Sequence, residues 1–546
     1  MVFLSTLLIS MFTTIVLIPA LDAMAGRFNA MDFPDERKVH ARPIPRTGGI
    51  AMAAGAIIPV LLWTHGDGFV RAYLAGAAIV VCFGIVDDCR GISPKWKFFG
   101  QFAASLVVIF LGGVEIRTLG MLMPGYADLP GWVSVPLTVL AIMGVTNAIN
   151  LADGLDGLAG GICLLIFCTI GFLAYLQGDF IIGLVCLAMA GAIFGFLRYN
   201  THPATVFMGD TGSQLLGFSA ITLSLNLTQE NTALSPILPL FLLGIPVLDT
   251  LLVMIQRLAR GKSPFSADKN HIHHKLMALG LHQGESVIVI YTCQAFLVIA
   301  GYLLRFYSDW LLLGGYLGLS VAAVFLLSVA SRNRWHTKPD SFVPMFPGFR
   351  YLKDVKQKGN VIRTIFPALQ VGLPLLLLLT CLLPSGLPAY APYFALGFAG
   401  LIAAVWALKP DTLGKVLRLT IYLVIPFVVY ESSHAPSGWV QGMPLRLYNG
   451  TFFLLAVLVI LVSKLSRHQE GFKSTPLDFL IFFLALVVPN LPEQNIQAYQ
   501  LGKVAAKIII FYFSYEVLME ELHEKFSRLA LWTGAALVAL FIRAFV

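Results

Sequence analysis

Apolar stretches of about twenty residues recur along nearly the whole chain, and this constrains its fold more than any other feature. Each is long enough to cross the hydrocarbon of a bilayer, and a backbone in lipid must satisfy its own N–H and C=O groups, which an open segment does by forming a helix. Only 12% of the residues are charged and 58% are hydrophobic, whereas a soluble domain carries about a quarter charged. The expected fold class is therefore an all-α polytopic membrane protein.

The formal net charge of +8 does not call for nucleic acid as a partner, because the basic residues fall in alternate loops, the pattern of cytoplasmic segments. The seven cysteines lie mostly inside apolar runs with no CxxC pair, so neither disulfides nor zinc is indicated. The first run, about residues 2–21, has no Lys or Arg before it, while Arg27, Arg37, Lys38, Arg42 and Arg46 follow. That charge order is the reverse of a cleaved signal peptide and puts the N-terminus outside.

Assigning spans forward gives 2–21, 48–64, 70–86, 97–113, 132–149, 158–176, 179–197, 211–227, 234–254, 284–304 and 310–330, about eleven in a first domain, 1–330. A basic cytoplasmic linker is expected over 331–363, then a second membrane domain, 364–546, of about seven spans: 364–383, 389–407, 416–431, 449–464, 477–490, 501–520 and 529–545. This second domain shows no comparable cluster of chemistry. Its Glu516, Glu520 and Glu521 read as ordinary charge near a cytoplasmic helix end.

The unusual polar residues gather in loops that this assignment puts on one side. The densest is NAINLADGLDGLAG, 147–160, where Asn147, Asn150, Asp153 and Asp156 recur every three residues and would project from roughly one face of a helical turn. Glycines at 154, 157 and 160 argue for a helix end opening onto a polar pocket rather than a helix interior. In VDDCRGISPKWK, 86–97, the adjacent carboxylates of Asp87 and Asp88 suggest Mg²⁺ coordination or a proton acceptor; the plainer reading is helix-end acids neutralised by Arg90, Lys95 and Lys97. In HARPIPRTGG, 40–49, Thr47-Gly48-Gly49 offers exposed amides at a helix start, an anion nest, unless the loop simply lies under anionic headgroups.

FMGDTGSQLLG, 207–217, brings Asp210 to the start of another helix, flanked by glycines and hydroxyls. RLARGKSPFSADKNHIHHKL, 257–276, combines basic residues with His271, His273 and His274, a set better suited to a diphosphate than to zinc. Asp249 is the main acid inside an apolar run. Acids enough for Mg²⁺ and cations enough for phosphates at one membrane surface indicate phosphoryl transfer involving a lipid. Six loop acids are more than one metal needs, so some must do other work. A transporter of lipid-linked intermediates, the rival class, would more naturally carry its acids in mid-span.

The motifs VDD at 86–88, NAINLADGLDGLAGG at 147–161, FMGDTGSQLLG at 207–217 and PVLDTLLVMIQRLARGKSPFSADKNHIHHKL at 246–276 resemble those of the polyprenyl-phosphate N-acetylhexosamine-1-phosphate transferases. The HxHH form of the histidine motif is most similar to the WecA and TagO branch; the related MraY enzymes, which act on phospho-MurNAc-pentapeptide, carry three consecutive histidines, a run that Ile272 interrupts here. The resemblance covers about 1–330. It implies transfer of a sugar 1-phosphate from a UDP-N-acetylhexosamine, GlcNAc foremost, to undecaprenyl phosphate with release of UMP, at the start of cell-surface polysaccharide synthesis. It further implies Mg²⁺, with Mn²⁺ as the alternative ion, and a cytoplasmic active site in the bacterial inner membrane among membrane lipids. Partners expected beyond the substrates are a second copy of the chain or other polysaccharide-pathway enzymes. By the same resemblance Asp210 is the principal metal ligand with Asp153, Asp87 and Asp88 lie at the reacting phosphates, and Asn147, Asn150, Asp153 and Asp156 line the nucleotide pocket. Lys262, His271, His273 and His274 would contact the diphosphate or nucleotide-sugar.

Overall fold

The computed structural model describes residues 2–34, 42–64, 66–124, 128–229, 232–263, 270–332, 360–434, 443–465, 501–522 and 526–545. The chain divides into two compact units, Met1–Asp340 and Ser341–Val546. The linker expected at 331–363 lies almost wholly outside the described residues, as does the span expected at 477–490.

Among the described residues the first unit holds eleven long helices: α1 (Val2–Ala25), α2 (Gly48–Trp63), α3 (Gly68–Arg90), α4 (Pro94–Phe110), α5 (Gly131–Ala152), α6 (Leu158–Gln177), α7 (Phe180–Asn200), α8 (Gly209–Gln229), α10 (Gly244–Ala259), α12 (Gln283–Leu304) and α13 (Asp309–Arg332). Two short helices, α9 (Pro239–Leu242) and α11 (Ile272–Ala278), complete it. The span expected at 234–254 is thus broken at Leu243 into α9 and α10, and α10 runs on to Ala259. The one strand pair among the described residues joins Met31–Asp32 antiparallel to Ile44–Pro45. Nine helices of the described chain, seven of them in this unit, are long and apolar enough to cross a bilayer. The protein is a multi-pass, all-α membrane protein.

The centre of this unit is α8, in which every residue from Thr211 to Thr228 is buried. Its many hydroxyls and amides make it too polar to stand among lipid tails, so it is enclosed: α3 and α5 pack along it, with α2, α6 and α7 also touching. Hydroxyls such as Ser213 and Thr228 donate to the carbonyl four residues back, and Ser219 meets the Tyr73 hydroxyl of α3 at 2.8 Å. Around this axis α1 lies on α2 and α7, and α6 on α7. Antiparallel succession brings the ends of α3, α5 and α7 and the starts of α4, α6 and α8 to one face of the bundle.

The second unit contains α14 (Asn360–Leu382), α15 (Ala391–Leu408), α16 (Leu413–His434), α17 (Met443–Leu465), α18 (Leu501–Leu522) and α19 (Ser527–Arg543). Its core is aliphatic and aromatic, centred on Leu373, Leu417, Ile425, Val428, Phe511 and Leu540. Helix α18 packs on α16 and α17, and α19 on α14 and α15.

Candidate active site

Asp87 and Asp88 are helix-end acids, in the last turn of α3, which runs past the expected span end at 86 and continues to Arg90. Two adjacent helical residues point about 100° apart, so the two acids diverge. Asp88 turns inward and accepts the backbone N–H groups of Asp210 (2.9 Å) and Thr211 (3.0 Å) and the Thr211 hydroxyl (2.7 Å). It caps the start of α8 from a neighbouring helix, satisfying donors that the helix itself leaves without partners. The residue before Asp210 has to be glycine: Gly209 has φ +64°, and a Cβ there would lie 2.5 Å from both Asp88 carboxylate oxygens.

Asp87 is buried too, but takes different partners. Its Oδ1 accepts Ile92 N–H at 2.8 Å, and its Oδ2 lies 2.6 Å from Lys97 Nζ. The same ammonium is 2.5 Å from Asp210 Oδ2. Lys97, in the first turn of α4, therefore joins the carboxylates of Asp87 and Asp210; of the three cations named as neutralisers of Asp87 and Asp88 it is the one that pairs, and it pairs with Asp87 alone. The Asn150 side chain, from the last turns of α5, comes close enough to Asp210 to favour its ionised form. Asp87, Lys97, Asn150 and Asp210 are thus one cluster built from four helix ends.

Asp153 follows as the residue that ends α5, in a turn shared with the start of α6. Burial, with Asp210, Asp88 and Asp156 nearby, pushes its carboxyl up to about 7. Asp156 points elsewhere: its Oδ2 accepts His202 Nδ1 at 2.7 Å and Ala204 N–H at 3.1 Å, fastening the 201–205 turn. Asn147 is partly exposed on α5, one turn before Asn150. The expectation that Asn147, Asn150, Asp153 and Asp156 share one face holds only in part, because the helix ends at Ala152 and the chain turns before Asp156.

The histidines form a second layer. His271 Nδ1 lies 2.8 Å from Asp249 Oδ2, while Asp249 Oδ1 accepts Ile272 N–H, also at 2.8 Å. The intramembrane acid therefore serves the start of α11. The His271 and His273 rings stack with centroids 5.8 Å apart, and His274 lies 4.2 Å from His273. His273 packs on the 153–157 turn so closely that a Cβ on Gly154 would stand 2.5 Å from its Nε2. Burial, reinforced by His274 and His271, pulls His273 down to about 4, so its ring is neutral at pH 7 and not the cation that the basic loop suggested. Lys262 is exposed on the turn after α10, and Asp268 lies outside the described residues.

The anion nest expected at Thr47-Gly48-Gly49 is overturned. Gly48 N–H donates to Phe207 O at 3.0 Å, both glycines are buried, and Gly49 packs directly on Gly212 of α8. The small residues allow α2 and α8 to approach rather than opening amides to a ligand. Phe207 N–H returns to Pro45 O at 2.8 Å, so the first loop is stitched to the segment that delivers Asp210.

The acids and the amide of the cluster offer oxygen atoms, which fits a hard cation such as Mg²⁺. Among the described residues no three His, Cys, Asp or Glu side chains form a ready-made metal cage. Mg²⁺ commonly takes one or two carboxylates and completes its shell from substrate phosphates, so the set fits.

Residues 70–228, from α3 to the end of α8 and carrying every acid of the cluster, match the model of the glycosyl transferase family 4. A Bacillus subtilis (strain 168) protein named "Probable undecaprenyl-phosphate N-acetylglucosaminyl 1-phosphate transferase" is 39% identical over 308 residues, 56% of this chain and 85% of the relative. The chain belongs to this transferase family. Two further transferases, named undecaprenyl-phosphate alpha-N-acetylglucosaminyl 1-phosphate transferase, are 32% identical: one from Yersinia pestis (57% of this chain, 87% of the relative) and one from Escherichia coli strain K12 (65% and 95%). The shared transferase region therefore accounts for about two thirds of the chain at most, and the relatives are covered almost completely.

Proposed function

We propose that the first unit transfers N-acetylglucosamine 1-phosphate from UDP-N-acetylglucosamine to undecaprenyl phosphate. The observation that carries this reading is the meeting of Asp87, Lys97, Asn150 and Asp210 at one bundle face, within the region shared with relatives bearing that activity in their names. An oxygen of the lipid phosphate forms a bond to the sugar-bearing β-phosphorus as the bond from that phosphorus to the bridging oxygen breaks. UMP leaves with the bridging oxygen. A phosphate monoester, with its second pKa near 6, is largely dianionic at neutral pH and needs little help from a base. The chief task of the site is to hold two anionic phosphates together in line.

Asp210 and Asp153 would hold Mg²⁺, and that ion when bound supplies the charge that offsets repulsion between the phosphates. Lys97 adds a fixed positive charge between Asp87 and Asp210, and Asn150 orients the Asp210 carboxylate. Asp88 is a positioning residue, since its oxygens are engaged by the start of α8. The His271 to His274 layer, set by Asp249, would receive the nucleotide diphosphate, with Lys262 as an exposed surface cation and Asn147 at the rim. The pairing of Asp249 with His271 also removes the main reason for a transporter reading, because this acid is engaged by a histidine of the site.

The active face is cytoplasmic, the N-terminus external and the membrane the bacterial inner one, following the charge of the loops. Association with a second copy or with polysaccharide-pathway enzymes belongs to the same reading. Asp210→Asn tests it: UMP release that depends on Mg²⁺ should fall at least about a hundredfold, as expected for loss of a phosphate-site electrostatic group. Because one diphosphate linkage replaces another, added UMP should regenerate the UDP-sugar from the lipid product; failure to do so contradicts direct exchange.

A further inference from the structure

The second unit buries a cation with no described counter-ion. Lys507 of α18 is 8% exposed. Its Nζ lies 4.8 Å from the Tyr448 ring centroid and 5.7 Å from that of Phe452, both on α17. Among the described residues no carboxylate pairs with it. The nearest acid along its own helix, Glu516, is nine residues on, roughly 13.5 Å at the helical rise. Glu516 is already engaged by Arg418 at 3.4 Å and by the Tyr422 hydroxyl, so it is not the loose helix-end charge that the sequence suggested.

Two features raise the positive potential at this point. Lys503 stands one turn earlier on the same side of α18 and is exposed. Both lysines lie in the first two turns, where the helix macrodipole is itself positive and a cation is disfavoured. Aromatic faces attract an ammonium but offset only part of what its removal from water costs. A second buried donor lies farther along the helix: the Tyr515 hydroxyl, which has no hydrogen-bond partner among the described residues, is reached through the packed rings of Phe452 and Phe511.

The charge asks for an anion, and the surface beside it asks for an apolar tail. Leu447, Phe453 and Leu454, which flank Tyr448 and Phe452 on α17, are 63%, 76% and 58% exposed. We infer that Lys507 and Lys503, with the Tyr448 and Phe452 rings, form a binding site for the phosphate headgroup of an anionic lipid whose chains lie along the exposed face of α17. This assignment rests on the second unit alone and is independent of the transferase reading.

The test uses the full chain purified in a neutral detergent and titrated with phosphatidylglycerol, phosphatidylcholine or inorganic phosphate while thermal unfolding is followed. Phosphatidylglycerol should stabilise the wild type, and neither zwitterionic phosphatidylcholine nor phosphate alone should match it. Lys507→Gln should raise the midpoint of the phosphatidylglycerol titration about tenfold or more, the scale of one lost charge-assisted contact, and Lys507→Arg should retain most of the effect. Without added lipid, Lys507→Met should unfold at a temperature no lower than wild type, because it removes an uncompensated buried charge. Equal phosphatidylglycerol protection of wild type and Lys507→Gln overturns the site. So does equal protection of the wild type by phosphatidylcholine, and saturation by inorganic phosphate alone shows an anion site without lipid recognition and overturns the lipid assignment. Marked lipid-free destabilisation of Lys507→Met overturns the claim that the charge lacks a partner.

Discussion

Asp249→Asn isolates the part played by the Asp249 and His271 pair, because the substitution keeps the shape and removes the charge. In the wild type one carboxylate oxygen holds His271 Nδ1 and the other holds Ile272 N–H, each at 2.8 Å, with side chains only 10% and 7% exposed for Asp249 and His271. An amide has one acceptor oxygen. If that oxygen keeps Ile272 N–H, the NH₂ group faces Nδ1 and forces it to accept, which moves the ring proton to Nε2 and abolishes the charge-assisted bond. A hydrogen bond to a charged group contributes about 1.5–3 kcal/mol, so kcat for UMP release should fall about ten- to 150-fold if the orientation of His271 serves the reaction. Steady-state assays should place the loss mainly in kcat, with the unfolding temperature within a few degrees of wild type. A folded Asp249→Asn protein retaining more than a third of wild-type kcat would refute the reasoning, since the dyad would then be structural only.

Gly209→Ala must place a Cβ 2.5 Å from the Asp88 oxygens at a residue whose φ is +64°; breaking that cap should cost about 1–3 kcal/mol and most of the activity, read by thermal unfolding and UMP release together. His273 contributes a pH dependence whose sign follows from its folded value of about 4, below the ordinary 6.5. Between these values the unfolded chain binds the proton more readily, so stability is present above about pH 6.5 and is lost progressively as the pH falls toward 4. The loss is at most about 3 kcal/mol, and His273→Gln should flatten the decline in unfolding temperature over that window.

The helical architecture was readable because lipid leaves an unbroken apolar segment one solution. Hydropathy did not distinguish centre from periphery: Phe180–Asn200 and Asp309–Ala330 are both strongly apolar, yet 78% of the most apolar stretch of one and 11% of that of the other is buried. The axis of the bundle is instead the polar α8, whose hydroxyls need a protein environment. In the site, two neighbouring aspartates carried the same signal and received opposite tasks, because their directions differ by a hundred degrees around α3. Lys97 was visible only as one neutralising charge among three; what selects it is a place in the first turn of α4, after the chain reverses at Gly91. The glycine pair at 48–49 was misread as a nest since close helix approach and ligand access use the same residue type. The pairing of Asp249 with His271 spans 22 residues and two helices, and no local pattern encodes it.

UDP-N-acetylglucosamine labelled in the β-phosphate gives the most direct test of the central claim. Incubated with the purified chain, undecaprenyl phosphate and Mg²⁺, the label should pass into a lipid-soluble diphosphate while unlabelled UMP is released in equal amount. Retention of the label in water-soluble material, with the lipid phosphate unchanged, would contradict the account.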